Sequence, residues 1–544
     1  MSMAIIFQSI SLRYIARQLW SPTCKIDALP AELLIKVLQL VLPPIDLRPV
    51  DNPTDMSRVY IKALFQLQLA SRRWKEVLDT TPGVWALVSE GFPDHQNIAN
   101  MDKSHNHPLT VYRTGKKIGD AEGDLGSCLE FLQLIESTRQ RWRVLRLNGV
   151  LPGDLPHYVA EPAPILETID LSTFPRGPDN SEVLTLFGHH VSTLRYVNMM
   201  SIAFHPCPSP FHDLISFSLY HTRGNWIDVE WIMEVLRGSP HVERLCLADM
   251  DLQMPTLGTS SPPVDLSHLK SFRTWSIEGR AVDYIIRRIN TPNCIQFQLS
   301  FDSEGADDYD TSLLLDTALA SFEHIFQNII HEMPNPSLSV HPNSIYWGQH
   351  PWPPFRPESK LNPYFLLDIR EVPFPAVIRW IDRVVDPTRS ERSPSLEPLA
   401  GTLYITDNTS LTEAEIASQL KHIKSITEIS TLAPADVGQV LQLLGEAGPE
   451  PWFPHLQHLN LHADGWEARE LLNMARARSS RPSRPAPQLT IIIKAETSPR
   501  FLGPVNRVAF DPDTLREIRA LKGCIHSTTA QTVASSHQHL YALL

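Results

Sequence analysis

Cysteine and glycine are scarce in this sequence, whereas proline is abundant. The 544 residues include six cysteines, and no two of them form a Cys-x-x-Cys pair. A disulfide framework is therefore excluded, and a reducing, intracellular environment fits best. The 23 glycines are outnumbered by 46 prolines. This balance favours many short, stiff connections over flexible linkers and phosphate-binding loops.

Long hydrophobic runs and an excess of positive charge are also missing. The most apolar early stretch, residues 29–42, contains Glu32 and Lys36, and no uncharged run reaches the roughly eighteen residues of a membrane helix. The 60 acidic residues outnumber the 48 lysines and arginines, which gives a net charge of −12. We therefore expect a soluble protein whose partners are neither membranes nor nucleic acids.

Motifs that carry catalysis or bind cofactors are absent from the sequence. It contains no GxSxG, GxGxxG, P-loop or HExxH pattern. His205, Cys207 and His212 could bind a metal, but a zinc site needs four ligands and no second cluster has a suitable spacing. The acidic run 302–310 does not fit the calcium-loop template. We expect no metal, no cofactor and no enzymatic activity; an enzyme would have to use histidines and carboxylates without a recognised spacing.

The first 26 residues form an extension with a distinct composition. They contain Arg13, Arg17 and Lys25 but no acidic residue. This composition is similar to that of a mitochondrial transit peptide, yet on a helical wheel the cationic and apolar residues do not separate. We interpret residues 1–26 as an N-terminal extension of a cytoplasmic or nuclear protein, with mitochondrial import as the alternative.

Residues 27–90 carry a helical pattern. Asp27 and Pro30 provide a cap and a first-turn proline, so a helix is predicted to begin near Leu29 and to end at Pro43. A loop should follow as far as Pro53. A second predicted helix has apolar residues at helical spacing: Leu64, Leu67, Ala70, Trp74 and Leu78.

The order of short motifs in this segment resembles the F-box, in the F-box-like form common in fungal proteins. Leu-Pro-Ala-Glu-Leu at 29–33 comes first, then Leu-Ala-Ser-Arg-Arg-Trp-Lys at 69–75 and Pro-Gly-Val-Trp at 82–85. An F-box usually joins its halves by a few residues, whereas Leu42 and Ala63 are 21 positions apart here. The resemblance implies a helical module that docks a Skp-type adaptor and, through it, a cullin. The implied adaptor anchors are Leu29, Pro30, Leu33, Val37 and Leu38, and the implied core residues are Trp74 and Trp85.

A second pattern, with apolar residues at positions one, four and six, recurs along the rest of the chain. Its first clear copy is Trp142, Leu145 and Leu147. Successive fourth positions lie 20 to 28 residues apart, within the range of leucine-rich repeats: Leu145, Ile169, Val197, Phe217, Leu245, Phe272 and Phe297. Helices are predicted between copies at 129–135, 181–190, 225–237, 280–288 and 311–331. Further strands are predicted at 109–112, 366–369, 403–405, 426–429, 456–461 and 488–494, with a closing helix at 513–521.

The two patterns together predict the fold class and the domains. We expect an α/β protein in which an N-terminal helical F-box-like module (27–90) precedes a curved leucine-rich-repeat solenoid (105–522) and a C-terminal tail (523–544). The resemblance implies the substrate-recognition subunit of an SCF-type ubiquitin ligase. A leucine-rich-repeat scaffold that is not part of a ligase is the alternative.

The predicted repeats also suggest where a protein substrate binds. Because side chains alternate along a strand, the neighbours of the buried fourth positions should line the concave face. Arginines and aromatic residues are favoured at protein interfaces. The candidate substrate-binding residues on this face are Arg146, Tyr196, Tyr220, Arg244, Arg273 and Trp275; the alternative is a merely solvated sheet face.

Overall fold

In the computed structural model the chain divides into two compact units, and most residues of the first unit are described. One unit comprises residues 1–268 with 356–358, and the other comprises 269–355 with 359–544. Both mix helices with mostly parallel strands. The described residues are 29–43, 56–113, 125–150, 155–173, 183–189, 193–204, 211–221, 227–255, 262–302, 321–322, 324–325, 337–341, 344–348, 364–368, 401–405, 426–431, 441–442, 444–445, 458–462, 468–479, 489–497 and 525–534.

The N-terminal region is helical, with one break that the sequence pattern did not predict. Helices α1 (Ala31–Val41), α2 (Met56–Ala70) and α3 (Arg72–Asp79) precede a 3₁₀ turn at Pro82–Trp85. The second predicted helix is thus two helices, because Ser71 adopts an extended backbone. Since α2 begins at Met56, part of the inserted region is helical rather than loop, and residues 44–55 lie outside the described residues.

The first unit continues as a parallel sheet whose strands follow chain order. Each strand pairs with the next one along the chain. The strands are β1 (Leu87–Ser89), β2 (Leu109–Arg113), β3 (Trp142–Val150), β4 (Thr168–Thr173), β5 (Tyr196–Met200), β6 (Ser216–Tyr220) and β7 (Arg244–Met250), followed by a two-residue β8 (Val264–Asp265). The helices between them are α4 (Asp94–Lys103), α5 (Leu125–Glu136), α6 (Leu155–Val159) and α7 (Val229–Arg237).

The register of this sheet matches the repeat pattern residue by residue. The fourth positions Leu145, Ile169, Val197, Phe217 and Leu245 pair in sequence across five strands. All five are buried. Their alignment fixes which side of each strand faces the core, since a shift by one residue would expose every apolar side chain.

The second unit also contains a mostly parallel series of strands. Its pairing order is β9, β11, β14, β13, β12, β15, β16, β17, β18, β19, and only β13 is antiparallel to its neighbours. The elements are β9 (Ser271–Glu278), α8 (Gly279–Ile286), β10 (Ile289–Asn290), β11 (Gln296–Asp302), β12 (Ser337–His341), β13 (Ser344–Gly348), β14 (Tyr364–Asp368), β15 (Gly401–Ile405), β16 (Ile426–Thr431), β17 (His458–His462), α9 (Ala468–Ser479), β18 (Leu489–Thr497) and β19 (Ile525–Ala534).

Several sequence-based expectations need correction. The helix expected at 181–190 is replaced, in its described part, by a bridge from Leu184 to Phe204 and a 3₁₀ turn at Phe187–His189. The hairpin β12–β13 was not anticipated. The segment 523–544, expected to be a tail, contributes β19, which pairs with β18. The helix expected at 513–521 and most of the one at 311–331 lie outside the described residues.

Among the described residues, no helix combines the length and apolar character required to span a membrane.

Candidate functional site

Helix α1 divides into a buried side and an exposed side. Leu34 and Leu38 are buried in a core that α1 shares with α2 and α3. Leu33 lies on the opposite side and is 48% exposed, and Val37 is half-buried. Leu38, which we expected to anchor an adaptor, is therefore already buried in the core of the helical region.

The start of α1 is held in place by backbone hydrogen bonds. The carbonyl of Leu29 accepts a hydrogen bond from Nη2 of Arg73, which ties this end of α1 to α3. The carbonyl of Pro30 accepts hydrogen bonds from the amides of Leu33 and Leu34, at 3.1 and 3.0 Å. Leu29 is half-buried and Pro30 is exposed, so the Leu-Pro start of the helix stays accessible at a fixed position.

Both tryptophans of the F-box-like pattern lie inside the helical region or against it. Trp85 is buried, and its Nε1 donates a hydrogen bond of 2.9 Å to the carbonyl of Leu78. The ammonium group of Lys103 lies 3.8 Å from the centroid of the Trp85 ring. Trp74 is partly buried and packs against the same core. This core also includes Leu87 of β1 and Tyr112 of β2, so the helices and the first strands form one packed body.

Large apolar side chains are exposed on the outer sides of α1 and α2. Leu40 is 86% exposed and Leu69 is 87% exposed, while Phe65 is 42% exposed. Together with Leu33, these residues define what we call the apolar helical surface. Exposed apolar groups concentrated on two neighbouring elements of the chain are typical of a binding surface.

On the predicted concave face, the side chains at β3 and β4 are largely buried. Arg146 Nε and Asp170 Oδ2 are 3.9 Å apart, and both side chains are at least nine-tenths buried. Asn198 Nδ2 donates a hydrogen bond of 2.8 Å to the other oxygen of Asp170. Arg146 is therefore an internal ion-pair partner, and the prediction that it contacts a substrate is not supported by its position.

The same sheet face is more accessible at β5 to β7. Tyr196, Tyr220 and Arg244 are half-buried, and Met200 is 40% exposed. We call these four residues the tyrosine patch. Met200 pairs with Tyr220 in the register, and Ser216 lies between Tyr196 and Arg244. With residues about 3.3 Å apart along a strand and strands about 4.8 Å apart, the patch measures roughly 13 by 10 Å.

Met200 was not identified from the sequence, although its position in the repeat indicates it. It takes the seventh place of its copy, as Tyr220 does in the next copy, and therefore points to the same face. His221 follows Tyr220 directly, and its Nδ1 lies 3.0 Å from Asp249 Oδ2. Both residues have a positive φ, 51° and 49°, at the carboxyl ends of β6 and β7. This polar pair borders the tyrosine patch.

Arg273 and Trp275 belong to the second unit. Both lie on β9 and are half-buried. Arg273 pairs in register with Gln298 of β11, and the adjacent Phe272 and Phe297 are buried and stacked, with centroids 5.7 Å apart. Arg273 and Trp275 therefore share the face opposite this aromatic core.

The described residues contain no group of three or more histidine, cysteine or acidic side chains that could hold a metal ion. Residues 205–210, which include His205 and Cys207, lie outside the described residues, and His212 is exposed. Burial raises the pKa of the Cys294 thiol to about 12, so this cysteine stays protonated and unreactive at neutral pH.

No protein-family model matches the chain, and no curated protein matches it in a sequence search. Any functional assignment must therefore depend on the residues described above.

Proposed function

We propose that this chain is the substrate-recognition subunit of an SCF-type ubiquitin ligase. Its F-box-like helical module binds a Skp-type adaptor, which brings in a cullin, and its leucine-rich-repeat-like strands bind a protein substrate. The chain performs no chemistry itself. It raises the effective concentration of the substrate near a ubiquitin-charged enzyme, which is sufficient for catalysis by proximity. A cytoplasmic or nuclear location follows from this role.

The observation that carries the proposal is that the outer side of α1 exposes an apolar residue. Leu33 is exposed next to the accessible Leu29-Pro30 start, while Leu34 and Leu38 on the other side hold the helix on the core. A partner can therefore bury Leu33 without unfolding the module. The strands support the proposed binding of a protein substrate. They pair in chain order and present a partly exposed face with aromatic and arginine side chains.

The test compares two substitutions on α1 in the full-length chain. Leu33→Asp places a charge in the proposed interface, and we expect the amounts of adaptor and cullin that co-purify to fall by about tenfold or more. Gln39→Asp introduces the same charge at another exposed position of α1 and should leave co-purification unchanged. Equal recovery from both variants, or no adaptor with the unmodified chain, would refute the ligase assignment.

A scaffold that is not part of a ligase is the second candidate. The interval between the end of α1 at Val41 and the start of α2 at Met56 favours it, because an F-box usually joins its halves by a few residues. The same purification distinguishes the two functions. A scaffold would retain protein partners that depend on the tyrosine patch, with neither adaptor nor cullin among them.

A further inference from the structure

The apolar helical surface consists of one stripe on each of two helices. Leu33 and Leu40 are seven residues apart on α1, and Phe65 and Leu69 are four residues apart on α2, so each pair lies along one side of its helix. Half of the large apolar side chains that are exposed among the described residues lie on these two helices: Leu33, Leu40, Val59, Phe65 and Leu69. Such a concentration calls for a specific occupant.

The chain itself carries a segment of matching chemistry. Thirteen of the first 20 residues are apolar or aromatic, and no acidic residue precedes Asp27. On a helical wheel these apolar residues are distributed on all sides, which is the pattern of a segment that is buried against other protein. This segment is joined directly to the start of α1.

We infer that residues 1–26 of this chain bind the apolar helical surface of the same molecule. The reach is sufficient: 26 residues would extend about 39 Å as a helix, while α1 and α2 are only about 16 and 22 Å long. The direct connection to α1 also favours self-association over a second molecule, because a short tether provides an effective concentration of order millimolar.

The charges near the contact leave apolar burial to drive it. Residues 1–26 carry basic but no acidic side chains, while the exposed Glu32, Lys36 and Lys62 flank the apolar stripes. Because the helices present both signs of charge, they offer a basic segment little net attraction, and the contact should depend only weakly on added salt.

This inference is independent of the proposed function, although it has a consequence for it. If an adaptor binds at Leu33, the segment competes for part of the same surface, and the chain then binds the adaptor more weakly than its isolated interface would. The experiment below uses the chain alone, so it gives an answer whether or not an adaptor binds.

The test is photocrosslinking within the full-length chain. A benzoylphenylalanine in place of Leu69 should give crosslinked peptides from residues 1–26 in a product with the mass of a monomer. The yield should change little with salt. Introducing Ile6→Asp together with Ile10→Asp should lower the yield by about tenfold, because charges are then placed in an apolar contact. The same probe in place of Ile98, an exposed apolar residue of α4, should give no such product.

Two results would overturn the inference. Crosslinks from position 69 that map only outside residues 1–26, or an absence of crosslinks at that position, would show that the segment does not occupy the surface. A product with the mass of a dimer would assign the surface to a second copy of the chain. Circular dichroism of each variant establishes that the fold is retained, so that a lost crosslink reports the contact.

Discussion

The indole N–H of Trp85 donates a hydrogen bond of 2.9 Å to the backbone carbonyl of Leu78. This bond connects the 3₁₀ turn before β1 to the last turn of α3. Nearby, the hydroxyl of Tyr60 donates to the carbonyl of Val84 at 3.1 Å and connects α2 to the same turn. The turn at Pro82–Trp85 therefore joins α2 and α3 to the start of the sheet.

Replacing Trp85 should destabilise the helical region and the first strands together. Trp85→Ala removes one hydrogen bond and a buried ring that Lys103 covers, and we expect it to lower the free energy of unfolding by about 3 to 5 kcal/mol. Trp85→Phe keeps most of the packing and should cost about 1 to 3 kcal/mol. Urea unfolding followed by circular dichroism measures both; equal losses, or a loss below about 1 kcal/mol for alanine, would contradict this role.

A second contact protects the edge of the sheet at β1. Asn97 of α4 is buried, its Oδ1 accepts a hydrogen bond from the amide of Ser89, and its Nδ2 donates to the carbonyl of Ser89. Asn100 Nδ2 donates to the carbonyl of Leu87 at 2.8 Å. These side chains bond the backbone groups of β1 much as another strand would, so they block the pairing that an open edge invites.

Asn97→Leu should therefore cause both instability and association. The amide and carbonyl of Ser89 would lose their partners, at a cost of about 2 to 4 kcal/mol for the two groups. The freed edge should also give dimers or larger species in size-exclusion chromatography. His95→Leu is the control, since His95 is an exposed residue of the same helix. A monomeric, fully stable Asn97→Leu protein would show that α4 does not protect the edge.

The sequence pattern predicted the strands well because their signal is local. Leu145, Ile169 and Val197 each stand at the fourth position of a copy, and alternation along the strand makes them face the core. What escaped prediction lies outside the apolar spacing on which the predictions were based. Ser71 breaks a helix that apolar spacing alone would continue, and the β12–β13 hairpin carries no copy of the one-four-six pattern.

The candidate sites were predicted less well than the strands, for the same reason. The repeat correctly places Arg146 and Arg244 on one face of the sheet, but it does not indicate how deeply each is covered. Arg146 is buried beside Asp170, whereas Arg244 is half-buried beside Ser216. On α1, helical spacing does not distinguish the buried Leu38 from the exposed Leu33 until the partner helices are known.

This difference in burial predicts different effects for the same substitution at the two arginines. Arg146→Glu sets two buried carboxylates against each other and should cost about 3 to 5 kcal/mol of stability. Arg244→Glu changes a half-buried residue and should leave the fold intact while releasing a bound substrate. Thermal unfolding and co-purification of captured proteins measure the two effects. Similar stabilities of the two variants would contradict the difference in burial. Substrate retained by a folded double variant, Arg244→Glu with Tyr220→Ala, would show that the tyrosine patch is not the binding site.

A histidine in the second unit should make the stability of the protein depend on pH. Burial lowers the pKa of His324 below its ordinary value of 6.5, and its backbone hydrogen bonds only partly offset this effect. Below pH 6.5 the unfolded chain therefore takes up a proton that the folded chain resists, which favours unfolding. The contribution of neutral His324 to stability is complete above pH 6.5 and is lost as the pH falls towards its folded-state pKa.

The substitution His324→Gln isolates this contribution from the other histidines. We expect the free energy of unfolding of the unmodified chain to fall more steeply than that of His324→Gln between about pH 7.5 and pH 5.5. His268→Gln is the matched control, because His268 is an exposed histidine. Chemical denaturation at several pH values gives the difference directly. Parallel curves for the unmodified chain and His324→Gln would mean that His324 titrates alike in the folded and unfolded states.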